Sequence, residues 1–216
     1  MKSVLVIGLG RFGRHVAVKL ASLGNEVMVV DKDEEKIDDI ISEVTSAQIG
    51  DCTNEQVLRS IGVRNFDLCI VGIGTNFQAS LEITSLLKEL GARYVISKAN
   101  RDIHAKFLLR NGADEVTYVE KEMAEKLAVR VSAKNVFDYI ELTPEYSIFE
   151  IPTPASWVGK TIEQKSVRSK YHISILATKE EGAINPLPKA DYVFQPRVHL
   201  IIIGQKSEVL KLVEKM

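Results

Sequence analysis

Cysteine is almost missing from this chain: Cys52 and Cys69 are the only two, set at unrelated positions in turn-like or apolar sequence. Two such thiols exclude a disulfide framework and read as reduced, structural side chains of a cytoplasmic protein. Net charge is equally scarce. Lys and Arg total 28 against 29 Asp and Glu, which leaves no global field to draw nucleic acid or anionic lipid, so any such partner needs a local patch. Long hydrophobic runs are lacking too. The apolar run VLVI at 4–7 is too short for a signal segment and ends in a glycine loop, and nothing approaches the ~20 residues that span a bilayer. A soluble protein is expected. Catalytic constellations are also missing. His15, His104, His172 and His199 are scattered, no Cys and His spacing suggests zinc, and neither GxSxG nor a Walker lysine motif is present. Hydride transfer needs a second site with an acid or base against the cofactor, and the sequence offers no such constellation, which leaves a small NAD-dependent oxidoreductase as the lesser alternative to a regulator. For His15 and His104 surface placement is the simple expectation.

The 216 residues that remain to be explained are 45% hydrophobic and 26% charged, enough for a proper core in one large domain or two small ones. Short β-branched runs alternate with helical periods: VLVI (4–7), EVMVV (26–30), AQI (47–49), LCIVGI (68–73), YVIS (94–97) and EVTYV (115–119). That alternation predicts βαβ units and a parallel six-stranded, Rossmann-like sheet in an α/β fold. Phe12, Val16, Leu20 and Leu23 make one helical stripe, and Ala79, Ile83, Leu86, Leu87 and Leu90 another. Gly24, Gly62, Gly91 and Gly112 fall where helices should end. A further helix, EKEMAEKLAVRVSAKNVFDYI, runs from Glu120 and is apolar on more than one face. Beyond Tyr139 the pattern changes, since all six prolines lie there and strands alternate without βα repeats. We expect a first domain over 1–139 and a smaller α+β domain over 140–216, joined by the long helix. Its expected elements are strands at 146–151, 172–179 and 199–204, a short helix near 162–170, a turn at Glu181 and Gly182, and a closing helix over 205–216.

The chemistry points to the segment GLGRFG at 8–13. It follows a strand at once, opens a helix, and is answered by an acidic residue, Asp31, at the end of the second strand. Gly8 permits the tight turn, Gly10 lets backbone approach a pyrophosphate, and Gly13 lets the helix pack on the sheet. The helix N-terminus then offers free N–H groups to phosphate, with Arg11 and Phe12 beside them. Asp31 would accept the ribose hydroxyls, which disfavours a 2′-phosphate and so NADP, and Lys32 follows it. Asp51 and Cys52 in GDCTN stand where adenine would lie, although Asp51, Thr53 or Asn54 equally suits an N-cap. Gly72, Ile73, Gly74 and Asn76 in GIGTN leave room for ribose and phosphate, and Lys98 after the fifth strand is within reach of a phosphate.

These blocks resemble the N-terminal regulator-of-potassium-conductance (RCK) domain: GLGRFG with Asp31, GDCTNEQVLRSIGV, VGIGTNFQASLEITSLLKELGA and EKEMAEKLA. WVGKTIEQKSVRSKYHISILATK resembles the smaller RCK C-terminal domain. One of each in this length is similar to the Ktr type of cytoplasmic regulator, related to the TrkA proteins. The resemblance implies a non-enzymatic, nucleotide-sensing gating subunit. It would form dimers, commonly through the long helix, that assemble into an octameric ring under a membrane potassium-translocating subunit. It implies ATP or ADP as ligand, with NAD or NADH the TrkA-type alternative. Arg11 takes the place of an arginine that contacts the terminal phosphate of ATP. Glu120 matches a glutamate that helps hold a divalent or monovalent cation beside the nucleotide. Some relatives bind cyclic di-AMP in the C-terminal domain. Arg168 matches their arginine, while Ser166 and Ser174 stand in place of an acid and an asparagine.

Overall fold

The six apolar runs become β1 (Ser3–Ile7), β2 (Glu26–Asp31), β3 (Ser46–Ile49), β4 (Leu68–Val71), β5 (Val95–Lys98) and β6 (Glu115–Thr117). In the computed structural model, which describes residues 1–132, 135–214 and 216, all six lie parallel in the order β3-β2-β1-β4-β5-β6. Helices α1 (Arg11–Ser22), α2 (Glu34–Asp38), α3 (Glu55–Ile61), α4 (Phe77–Glu89) and α5 (Asp102–Arg110) make the crossovers. The strands read as unbroken apolar runs because both faces are covered. Val4, Val6, Val27 and Val29 pack with Ala17, Ile37 and Ile40 on one side, and Leu5, Ile7, Cys69 and Val71 with Leu58, Ile83 and Leu87 on the other. Because β1 pairs with both β2 and β4, the strand order reverses there and leaves a crevice at the C-terminal ends.

The helix stops fall as expected, with positive φ at Gly24, Gly62, Gly91 and Gly112. Phe12, Val16 and Leu20 pack on the core, but Leu23 does not complete their stripe: α1 ends at Ser22, and Leu23 is its C-cap and 65% exposed.

The chain divides into two compact units, Met1–Lys121 and Glu122–Met216, a division before the body of the long helix rather than after residue 139. That helix, α6 (Val119–Ser132), is shorter than its sequence pattern. Residues 133 and 134 of the expected helix lie outside the described residues. Asn135 has a φ of 73°, left-handed backbone that asparagine tolerates, and β7 (Asp138–Glu141) follows. Val136 and Tyr139, which seemed to extend the helix pattern, are buried instead with Phe149, Trp157 and Phe194 in the core of the second unit.

That unit holds an antiparallel sheet in the order β10-β9-β11-β8-β7, formed with β8 (Tyr146–Pro152), β9 (Ile173–Glu180), β10 (Ala183–Pro186) and β11 (His199–Gln205). Strand β8 alternates buried Ser147, Phe149 and Ile151 with less buried neighbours, the period of a sheet with one covered face. Glu181 and Gly182, both at positive φ, make the two-residue turn between β9 and β10. The helix expected near 162–170 is two short ones, α7 (Ile162–Lys165) and α8 (Val167–Tyr171), split where Ser166 takes a φ of 48°. The chain closes on α9 (Lys206–Glu214), and residue 215 of the expected last helix lies outside the described residues.

Candidate functional site

The crevice between β1 and β4 is shaped by glycines. Gly8 takes a φ of 91° and donates its N–H to Val30 O at 2.9 Å, while the N–H of Gly72 reaches Ile7 O at 2.8 Å. A Cβ on Gly13 would stand 1.9 Å from Gly8 O, and one on Gly72 would stand 2.7 Å from the same atom. Both therefore serve the close approach of α1 and the two loops. Gly10 differs. It has an ordinary φ of −63°, and a Cβ there would meet no protein atom within 4 Å. No contact among the described residues requires glycine at 10, so the open space beside it is a cradle that a side chain would fill.

A cavity of about 1120 Å³ opens over these loops. Gly8, Gly10, Arg11, Phe12, Asp31, Lys32, Asp51, Cys52, Gly72, Ile73, Gly74, Asn76, Lys98 and Glu120 all line it, so the fold gathers the expected residues from the ends of five strands and the start of α6. Gly13 is buried beneath them.

Asp31 ties the loop to the sheet. Its Oδ2 accepts the Leu9 N–H at 2.6 Å, its Oδ1 accepts the Asp33 N–H at 3.0 Å, and Lys36 Nζ lies 3.6 Å from Oδ1. Gly10 caps α1 without a side-chain bond and the first turn carries no acid, so its free N–H groups and partial positive charge face no counter-charge of their own. Arg11 is the first residue of that turn, and it makes no hydrogen bond or ion pair among the described residues. Asp51 Oδ1 accepts both the hydroxyl and the N–H of Thr53, at 2.8 and 3.0 Å, and these bonds hold its carboxyl below the usual range. The N-cap of α3 is Asn54, and that of α4 is Asn76, whose Oδ1 accepts the Ala79 N–H. Burial, with Asp51 and Asp31 adding to it, pushes the Cys52 thiol up to about 12, so it is a neutral wall.

On the opposite side Lys98 Nζ donates to Glu120 Oε1 at 2.7 Å and stands 5.8 Å over the Phe12 ring. The hydrogen bond from Lys98, then the backbone N–H of Glu120, and last the Arg11 charge lower the Glu120 carboxyl against a small opposing effect of burial. The described residues contain no group of three or more His, Cys, Asp or Glu able to hold a metal ion, and an ammonium already takes one Glu120 oxygen. These residues do not fit a metal centre by themselves. Arg168 is exposed on α8, with Ser166 at its N-cap.

Among the cavity-lining residues that sequence reasoning did not place at the site are His15, Lys36, Gln78, Glu82 and Asn100. Asn100 had a signal, its place just past the end of β5. His104 was misjudged. It is fully buried rather than on the surface, bonded to Ser80 and Asn100.

Residues 4–119 match the TrkA-N domain and residues 146–216 the TrkA-C domain. The chain is 40% identical to Ktr system potassium uptake protein C of Bacillus subtilis and 41% identical to Ktr system potassium uptake protein A of the same organism. Each match covers 96% of this chain and 94% of the relative. Among solved structures, the GsuK channel bound to NAD superposes with a TM-score of 0.69 at 20% identity, covering 98% of this chain and 39% of that one. This last likeness is one of fold, and the chain spans less than half the length of GsuK. With both domains matched and that identity over nearly its whole length, the chain belongs to the TrkA-N/TrkA-C family that includes the Ktr system potassium uptake proteins.

Proposed function

We propose that this chain is the nucleotide-sensing regulatory subunit of a Ktr-type potassium uptake system and takes ATP or ADP in the β1–β4 crevice. The observation that carries the reading is the pairing of Gly10, where an added Cβ would meet no described atom within 4 Å beyond its chain neighbours, with Arg11 at the start of α1, which makes no hydrogen bond or ion pair among the described residues. Phosphates seated over Gly8 and Gly10 would take the free N–H groups of α1. Each Asp31 oxygen already accepts one backbone N–H and keeps capacity for a ribose hydroxyl. Asp51 and Cys52 would flank the base.

Arg11 would then distinguish the two nucleotides. A γ-phosphate offers the guanidinium a partner that ADP lacks, and one charge-assisted hydrogen bond is worth about 1.5–3 kcal/mol, or roughly 10- to 100-fold. That differential affinity is what can bias one conformation of an assembly over another. No bond is made or broken, so the subunit acts as a regulator rather than an enzyme. The stripe Met123, Leu127 and Val131 on α6 stays exposed and supports self-association, with dimers assembling into an octameric ring. The ring would sit on the cytoplasmic face of a membrane potassium-translocating subunit.

A second reading, NAD or NADH as the sensed ligand, is supported by Asp31 at the end of β2 and by the NAD-bound GsuK structure of the same fold. Thermal unfolding with ATP, ADP, NAD and NADH separates the two. A ligand at 100 times its Kd should stabilise the chain by about 2.7 kcal/mol. Larger shifts with ATP and ADP support the first reading, and a larger shift with NADH overturns it.

A further inference from the structure

Behind the cavity wall, a chain of hydrogen bonds runs from α4 through α5 to the loop after β4. Asn100 Nδ2 donates to Gly74 O at 2.6 Å, Asn100 Oδ1 lies 3.0 Å from His104 Nδ1, and His104 Nε2 lies 2.7 Å from Ser80 Oγ. Gly74 and Asn100 line the cavity, whereas His104 and Ser80 are fully buried and do not.

The polarity of this chain follows from its ends. Gly74 O can only accept, so the NH₂ of Asn100 faces it and the amide oxygen faces the imidazole. Nδ1 must therefore carry a proton. Nε2 of the neutral ring then accepts the one Ser80 hydroxyl proton, for which Phe77 O, 2.9 Å from Ser80 Oγ, is the competing acceptor. Burial, and secondarily Arg101, hold the His104 ring below its ordinary pKa, consistent with a neutral imidazole. Phe77 packs against the ring with centroids 4.8 Å apart, which fixes its plane. Every polar atom of the imidazole is thus spent, and the product is a Gly74 carbonyl held in one direction.

We infer that His104 is a positioning residue for the nucleotide site: as the Nδ1–H tautomer between Ser80 and Asn100, it orients the Asn100 amide and so fixes the Gly74 wall against which the ligand packs. The inference rests on the nucleotide reading above. Two adjacent helices are coupled to the site through a residue that never meets the ligand.

The test uses the full chain titrated with ADP and ATP, the variants His104→Leu and His104→Asn, and thermal unfolding of each without ligand. Leucine fills the space and donates nothing. Asparagine keeps an N–H leaving from the same carbon that bears Nδ1. Leucine should weaken both nucleotides roughly 10-fold, the scale of one lost hydrogen bond, while asparagine stays within roughly threefold of the parent. Nitrogen-15 spectra of histidine-labelled parent protein should place the proton on Nδ1. Equal affinity of parent and leucine variant, or a proton on Nε2, would overturn the relay. If leucine prevents folding, the spectra still decide, and a loss well beyond threefold in the asparagine variant would also overturn the relay. A parent chain that binds neither nucleotide would instead overturn the nucleotide reading, with the spectra left to report the hydrogen-bond chain alone.

Discussion

Lys98 and Glu120 form an ion pair across the cavity wall, Nζ to Oε1 at 2.7 Å, with the Lys98 side chain 16% exposed and that of Glu120 60% exposed. The lysine is the sequestered member. Its charge is neutralised by a glutamate that belongs to the first turn of α6, so the pair holds in check a cation that a phosphate could otherwise use. Glu120→Gln should free that cation and tighten ADP binding by roughly threefold, in the range of a surface ion pair. Lys98→Met should weaken it roughly 10-fold. Titration calorimetry at low and high salt measures both, and a loss of affinity in both variants would make the pair a structural strut.

Gly10 and Gly13 should respond in opposite ways to alanine. Gly13→Ala drives a Cβ to 1.9 Å from Gly8 O and should cost about 3 kcal/mol of stability, the upper end of overpacking penalties. Gly10→Ala places its Cβ more than 4 Å from any described atom beyond its chain neighbours and should leave stability within about 0.5 kcal/mol. Its effect should fall on the ligand, with nucleotide affinity reduced roughly 10-fold or more. Urea unfolding paired with ADP titration checks this. A Gly10→Ala chain that binds normally would remove the phosphates from that loop.

How much of this was legible in the sequence depends on the range of the interaction concerned. The six strands and the glycine cradle are local patterns, and β-branched runs followed by Gly8, Gly50 and Gly72 announce them directly. The end of α6 was not, because Val136 and Phe137 continue a helical apolar spacing while Val136 in fact packs in the second core. Strand β10 was overlooked for a related reason. All four of its residues are exposed, so no alternation marks it, and Pro186 ends it as edge strands allow. His104 looked like a surface histidine in DIHAKF, since Ser80, which buries it, lies a whole βα unit earlier. Tertiary partners of that kind leave no periodicity to read.

Glu150 should give the second unit an acid limb of stability. It is 13% exposed and accepts from Lys179 at 2.9 Å and from His199 Nδ1 at 2.6 Å. Burial raises its pKa, but the hydrogen bonds from His199 and Lys179 outweigh it and the carboxyl lies below its ordinary value. A lowered folded-state pKa means stability that is present above the unfolded value of about 4.3 and lost as pH falls through the folded one. Glu150→Gln should therefore unfold more readily at pH 7 and show a flatter loss between pH 5 and pH 3 (roughly the range of carboxylate titration) than the parent. Parallel curves for the two chains, followed by urea unfolding across pH, would exclude Glu150 as a source of that limb.

Arg11 is the residue on which sensing of a terminal phosphate would depend. The decisive measurement is the ratio of ATP to ADP affinity in the full chain and in Arg11→Ala, taken by calorimetry under one buffer and salt. The parent should favour ATP, and Arg11→Ala should lose roughly 10-fold or more of ATP affinity while ADP changes little, so that the ratio collapses towards one. Equal losses for both nucleotides, or NADH binding more tightly than either, would contradict the claim that this arginine senses a terminal phosphate.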